Sequence, residues 1–150
     1  MLTFHRCTGE DEIFRALVAE LDEDLLARYG ERMTFFGPHN KSAHIKTAMV
    51  VSLDDEPAGC GCFQTVSETA VEMKRVYVPL RFRGRGVARE MMTQLELWAR
   101  EIGYQTALVE TGVLQPEAIR LYEGAGYQRI PNYEPYVGVE ESICFQKSLI

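Results

Sequence analysis

The chain has little cysteine, and none of it is spaced for metal or redox work. Its thiols, Cys7, Cys60, Cys62 and Cys144, form no C-x-x-C pair and have no histidine at finger-like spacing, which argues against structural zinc or any other bound metal. Histidine is equally sparse: His5, His39 and His44 are scattered and read as structural or solvent-facing. No apolar run approaches the roughly 20 residues that cross a bilayer, so no membrane partner is expected. Met1–Arg6 has no apolar signal core or small-residue cleavage site, and the expected location is cytoplasmic. Positive charge is in deficit, with 16 Lys and Arg against 22 Asp and Glu, a net charge of −6 and a pI near 5.1. That balance argues against nucleic acid as a partner and agrees with a cationic small substrate, although solubility explains it equally well. Repeats and low-complexity tracts are absent.

What remains is an ordinary soluble composition: 150 residues, 46% hydrophobic and 25% charged. This length predicts a single domain over residues 1–150 with one substantial core. Cys60 and Cys62, two apart in an expected strand, would share one face as small hydrophobes. A catalytic thiol is the lesser alternative, because nothing nearby lowers a pKa.

The most informative stretch runs from Val76 to Ala88, where a short apolar strand meets Pro79 and then an arginine- and glycine-rich loop opening a long amphipathic helix. Proline has no N–H, so Pro79 ends the strand after Val78. Gly84 and Gly86 remove side chains where the loop enters the helix, leaving its first N–H groups open to an anion. Residues 73–89 hold Lys74, Arg75, Arg81, Arg83, Arg85 and Arg89 without one carboxylate. Such a positive island in an acidic chain points to a built phosphate site; a glycine-capped helix with solvating arginines is the plainer alternative.

In chain order, Leu2–Cys7 predicts a strand. Thr8 and Asp11 suggest a capping box for a helix carrying Ile13, Phe14, Leu17, Val18, Leu21, Leu25 and Leu26, which ends at Gly30. Asp22, Glu23 and Asp24 are a point where this helix could split in two. Arg32–Ser42 reads as a loop. Strands over about Ala43–Leu53, Ala58–Val66 and Thr69–Val78 follow, joined by hairpins and so antiparallel. Gly59 and Gly61 suggest a bulge or close backbone approach, and the imperfect alternation of Glu72–Val78 suggests another bulge. The helix opening at Gly84 carries Val87, Met91, Leu95, Trp98 and Ile102 and stops at Gly103. It leads to a buried strand, Tyr104–Glu110, parallel to the last strand of the meander. A helix over about Gln115–Gly124 and strands over Tyr127–Ile130 and Ser142–Ser148 complete the chain.

Two motifs in this order resemble the GNAT superfamily of acyl-CoA-dependent N-acyltransferases, and the resemblance covers nearly the whole chain. Arg81-Phe82-Arg83-Gly84-Arg85-Gly86 is similar to its [Q/R]-x-x-G-x-[G/A] pyrophosphate loop. Gln115 to Tyr127 is similar to its N-x-x-A-[IV]-x-L-Y-x-x-x-G-[FY] signature, with Gln115 where many members have Asn. The resemblance implies an α/β fold, mixed α+β: a mostly antiparallel sheet of about seven strands with one parallel pair, flanked by about four helices. It implies acetyl-CoA as co-substrate, a small-molecule or peptide amine as acceptor, and no metal.

Carried over by position, Val76, Tyr77 and Val78 would line the pantetheine arm. Arg81, Arg83 and the backbone from Gly84 through Arg85, Gly86, Val87 and Ala88 to Arg89 would hold the pyrophosphate, and Gln115 and Ala118 would border the arm. Tyr122 would sit beside the sulfur as general acid. Glu72 is the first candidate base and Glu110 the second; the plainer reading of Glu72 is a solvent-facing strand residue paired with Lys74. Tyr133, Glu134 and Tyr136, with Glu140 and Glu141, fall in the last long loop, where aromatics and carboxylates suit a cationic amine. A packed surface loop or a homodimer contact remains the alternative there.

Other readings are weaker. Gly84-Arg85-Gly86 begins a G-x-G-x-x-G, but Arg89 stands at the third glycine and the loop follows a meander, against a dinucleotide oxidoreductase. No G-K-[ST] follows, against a P-loop NTPase. A domain of this fold that binds acyl-CoA without turnover, as a sensor, is the alternative from another class.

Overall fold

A computed structural model describes residues 1–30 and 44–150. The loop expected over Arg32–Ser42, His39 and the start of the second expected strand lie outside the described residues. One seven-stranded sheet carries the fold, in the order β1-β2-β3-β4-β5-β7-β6. Its strands are β1 (Leu2–Cys7), β2 (Ala48–Leu53), β3 (Glu56–Thr65), β4 (Ala70–Tyr77), β5 (Thr106–Gly112), β6 (Gln128–Ile130) and β7 (Ser142–Ser148). Neighbours are antiparallel except β4 and β5, which run parallel. Three α-helices are found among the described residues, one fewer than the resemblance implied: α1 (Glu12–Tyr29), α2 (Val87–Ile102) and α3 (Pro116–Gly124).

The pleat sends alternate residues to opposite faces, and each face has its own helices. Phe14, Leu17 and Val18 of α1 pack with Val50, Cys60 and Cys62. On the other face, Val51, Phe63, Met73, Val109 and Phe145 pack with Met91, Met92 and Leu95 of α2 and with Tyr122 of α3. The α2 stripe turns slightly from the expected one: Ala99 is buried, while Ile102 is exposed.

Several local expectations change. Asp11, not Thr8, caps α1, accepting from the N–H of Phe14 at 2.9 Å; Thr8 Oγ1 instead accepts from Glu10 N–H at 3.3 Å. The Asp22–Asp24 run does not split the helix, because Leu21 and Leu25 on its inner side are buried and hold one continuous stripe. The β2–β3 turn is shorter than expected, only Asp54 and Asp55, both at positive φ (50° and 71°) as a tight primed hairpin turn requires. The N-cap of α2 is Gly86 at φ 79°, so this helix begins at Val87. Gly61 answers the close-approach expectation: a Cβ there would lie 3.0 Å from Leu95 of α2.

Two irregularities set up the site. First, β4 and β5 pair only from Ala70↔Thr106 to Met73↔Val109 and then part. Second, β4 bulges just there. Cys60 pairs with Tyr77 and Cys62 with Lys74, so three steps on β4 oppose two on β3, and Arg75 sits at φ 57°. After Tyr77 the chain turns at Pro79 into a short 3-10 segment, Leu80–Phe82, and through Gly84 and Gly86 into α2.

Candidate active site at the β4–β5 divergence

Where β4 and β5 part, a cleft of about 340 Å³ opens between them and α3. One wall is Val76 and Tyr77 of β4 with Val78 just after it, all beyond the last rung shared with β5. The opposite wall is Gln115, Glu117, Ala118, Leu121 and Tyr122 of α3 and its N-cap. Its floor at one end is Arg83, Gly84, Gly86, Val87, Ala88 and Arg89 at the start of α2. Gly84 and Gly86 both sit at φ 79°, and open space surrounds the point where each would carry a Cβ. The first intrahelical bond of α2 runs from Glu90 N–H to Gly86 O, so the N–H groups before it face outward. These are the features a pyrophosphate needs.

A second compartment, about 80 Å³, continues from the cleft towards α1. Glu110, Thr111, Lys74 and Arg75 line it with Leu25 and Tyr29, and Leu21, Val76, Gln115, Ala118 and Tyr122 border both spaces. Tyr122 is thus the side chain at the junction. Its ring is held edge-on by Tyr127 at 5.9 Å and tilted against Phe145 at 6.1 Å. No partner reaches its hydroxyl among the described residues. Burial first, then the nearby Glu110 charge, raises its pKa, so it keeps its proton at neutral pH.

The two candidate bases have different surroundings. Glu110 is half-buried and accepts a hydrogen bond from Ser142 Oγ at 2.8 Å. Burial outweighs that bond, Glu72 adds like charge, and its pKa rises to about 7. Glu72 is 4% exposed, not solvent-facing. Its Oε2 accepts from the Tyr133 hydroxyl at 2.9 Å, and its Oε1 lies 3.7 Å from Lys74 Nζ. Lys74 in turn reaches the Tyr136 hydroxyl at 3.5 Å. Glu72 belongs to this polar cluster and lines neither compartment. Tyr133 and Tyr136, packed edge-on at 5.5 Å, close over it, while Glu134 stays at the surface.

The expected cofactor residues fall on the cleft with two exceptions. Arg81 lies over the Phe82 ring and Arg85 is exposed, and neither lines the cleft. Arg83 Nε donates to Val78 O at 2.8 Å, and Arg89 Nη2 donates to Gly124 O at 2.7 Å, joining the start of α2 to the end of α3. The cysteines are not nucleophiles: Cys60 and Cys62 bond the carbonyls of Arg75 and Lys74, and burial pushes the Cys62 thiol up to about 12.

A family model for the acetyltransferase (GNAT) family matches residues 11–127. The chain belongs to the GNAT family. A candidate acyl-CoA N-acyltransferase from Klebsiella pneumoniae is 30% identical over all of this chain and 99% of that one, with a TM-score of 0.82. A GNAT acetyltransferase from Elizabethkingia anophelis, solved with acetyl-CoA bound, shares the fold at a TM-score of 0.68 and 17% identity, covering 98% of this chain and 97% of that one. An IAA acetyltransferase of Azospirillum brasilense is 33% identical over 61% of this chain and 60% of its own length. Across the curated relatives, matched segments span 28% to 60% of the relative's length.

Within this GNAT chain, sequence reasoning missed the contribution of α1. Arg28 pairs with Asp24 and with Glu117 and donates to Leu114 O at 3.0 Å, so α1 is clasped to α3 across the cleft. It also missed a small constellation around Gly112. Tyr29 Oη donates to Gln115 Oε1 and accepts from Leu114 N–H, each at 3.3 Å, and Gln115 Oε1 also accepts from Gly112 N–H at 3.3 Å. A Cβ on Gly112 would fall 1.6 Å from the Tyr29 oxygen, so any side chain there would have to displace the Tyr29 phenol. The buried Leu21–Leu25–Tyr29 stripe was the available signal for that face of α1.

Proposed function

We propose that the protein transfers an acetyl group from acetyl-CoA to a primary amine by direct attack, both substrates being bound at once. The observation that carries this reading is the meeting of two compartments at Tyr122, one lined by backbone and the start of α2, the other by Glu110. Acetyl-CoA supplies an acyl group activated as a thioester. The free N–H groups of α2 with Arg83 and Arg89 would hold its pyrophosphate. The open edge of Val76–Val78 would receive the pantetheine arm as a strand receives a neighbour. Arg81 and Arg85, outside the lining, would contribute potential rather than contact.

Glu110 is the base in this reading. With a pKa near 7 it is largely ionised just above neutrality and still a good proton acceptor. It takes a proton from the amine as the C–N bond forms and the C–S bond breaks. Tyr122 holds the proton that the departing thiolate needs. Glu72 stabilises the Lys74–Tyr133–Tyr136 cluster beside the inner compartment and acts on Glu110 through its charge.

Thermal unfolding with acetyl-CoA, CoA, NAD and ATP is the first test. A ligand that binds only the folded state stabilises it by RT ln(1 + [L]/Kd), so acetyl-CoA and CoA should raise Tm while NAD should not. Free thiol should then appear from acetyl-CoA when amines are added. Binding without thiol release from any amine would favour the acyl-CoA sensor instead.

A further inference from the structure

The inner compartment contains a cation with a vacant edge. The Arg75 side chain is 7% exposed, and its Nη1 donates to Asp22 Oδ1 at 2.6 Å. Its Nε is buried with no hydrogen-bond partner among the described residues. Nη1 is the nitrogen on the Cδ side of the guanidinium, so Asp22 leaves the Nε–Nη2 edge, with its two parallel N–H groups, unused. A buried donor left unpaired is destabilising, and two parallel N–H groups are the geometry that pairs with a carboxylate.

The backbone is distorted at the same residue. Arg75 is a non-glycine residue at φ 57°, a conformation that favours glycine, in the β4 bulge just beyond the last β4–β5 pair. Arg75 lines the inner compartment and not the outer cleft, so the residue borders the acceptor side rather than the phosphates of CoA. Lys74 and Glu110 line the same small space. A buried guanidinium and a carboxylate base that border one space match a molecule that has a carboxylate at one position and an amine at another.

We propose that the acceptor is an amine that also bears a nearby carboxylate, a free amino acid or close analogue, with its carboxylate on the Nε–Nη2 edge of Arg75 and its nitrogen towards Glu110. This rests on the acetyl-transfer reading and narrows its substrate class. A protein lysine, a polyamine or a peptide N-terminus lacks the adjacent carboxylate.

The test measures thiol release from acetyl-CoA with the twenty amino acids, and for each one that reacts, with its amide, its methyl ester and its decarboxylated amine. The free acid should exceed all three in kcat/KM by at least tenfold, with no variant needed. In Arg75→Met that ratio should fall towards one, and Arg75→Lys should restore only part of it, since a point charge cannot present two parallel donors. A residue that merely supports the fold would lower all four rates together. Turnover of amides or simple amines at or above the free acids overturns the inference and leaves acetyl transfer standing. An undiminished ratio in Arg75→Met also overturns it. Absence of thiol release from every compound, with acetyl-CoA bound by thermal shift, overturns acetyl transfer and this inference together.

Discussion

The two compartments that meet at Tyr122 are built on opposite plans. The outer cleft is largely backbone: an unpaired strand edge, two glycines and the start of a helix, most of it from Val76 to Arg89. The inner compartment is largely side chain, assembled from α1, β4, β5 and the α3 cap, with a half-buried acid, a buried lysine and a buried arginine side chain. A backbone site tolerates changes of side chain and fits one constant ligand. A side-chain site can be rewritten one residue at a time and suits the variable ligand. Substitutions in one compartment should therefore alter affinity for acetyl-CoA, and in the other rate and acceptor choice.

The largest separation should come from Glu110→Gln, which is expected to lower kcat by about 10²–10⁴-fold while leaving Kd for acetyl-CoA near its original value. The wild-type rate should rise as pH passes through about 7, the pKa of Glu110, and the variant should lose that limb. Stability should move the other way. The folded-state pKa lies above the unfolded value of 4.5, so the folded protein binds this proton more tightly and loses stability as pH climbs from about 4.5 to 7. Glu110→Gln should therefore unfold at a higher temperature than wild type at pH 8, and gain little at pH 4.

Arg83→Glu should produce the mirror image. A carboxylate beside the phosphate end should raise Kd for acetyl-CoA about 10²-fold by calorimetry, and saturating cofactor should recover most of kcat. Equal affinity in that variant would remove the start of α2 as the phosphate site.

Gly112→Ala strikes the Tyr29–Gln115 constellation beside the inner compartment. The new methyl would meet the Tyr29 oxygen, costing about 1–3 kcal/mol of stability, a Tm loss of several degrees. Removing that oxygen as well, in Gly112→Ala with Tyr29→Phe, should return part of the loss. Tyr122→Phe should have the smallest effect, about tenfold in kcat, because a thiolate departs readily even without its proton. Its KM for acetyl-CoA should hold, and an unaltered kcat with chemistry rate-limiting would free Tyr122 from the mechanism.

The contrast in plan also explains what could be read from the sequence. The outer cleft was legible because its parts are adjacent: Pro79, Arg83, Gly84 and Gly86 signal strand end, anion and helix start within eight residues. The meander, the parallel crossover and the order of elements followed from periodicity and hairpin signals. Glu72 was put first as base on the resemblance, which places a carboxylate on this strand, with a solvent-facing residue paired to Lys74 as the plainer reading. Its burial under Tyr133 depends on a loop some sixty residues away, and no local pattern encodes that. A bulge within Glu72–Val78 was legible from its broken alternation, but Arg75 itself only as one more positive charge, since its bond to Asp22 arises from the placement of α1. Whether α1 was unbroken stayed open for a related reason: the acidic run 22–24 shows the exposed side of the helix, whereas its continuity comes from Leu21 and Leu25 beneath.

The parting of β4 from β5 after four paired rungs gives the sheet a third edge, inside the molecule instead of at its rim. Rim edges attract stray strands, and proteins blunt them with charge, proline or a covering segment. This internal edge has α1 on one side and α3 on the other, so no foreign sheet can dock there, and only something as thin as a single extended chain can slide in. In a hydrogen-exchange experiment the amide of the Val76–Tyr77 pair that points to the open edge should behave accordingly. It should exchange as fast as those of an outer strand although it sits mid-sheet, and slow sharply once the slot is filled.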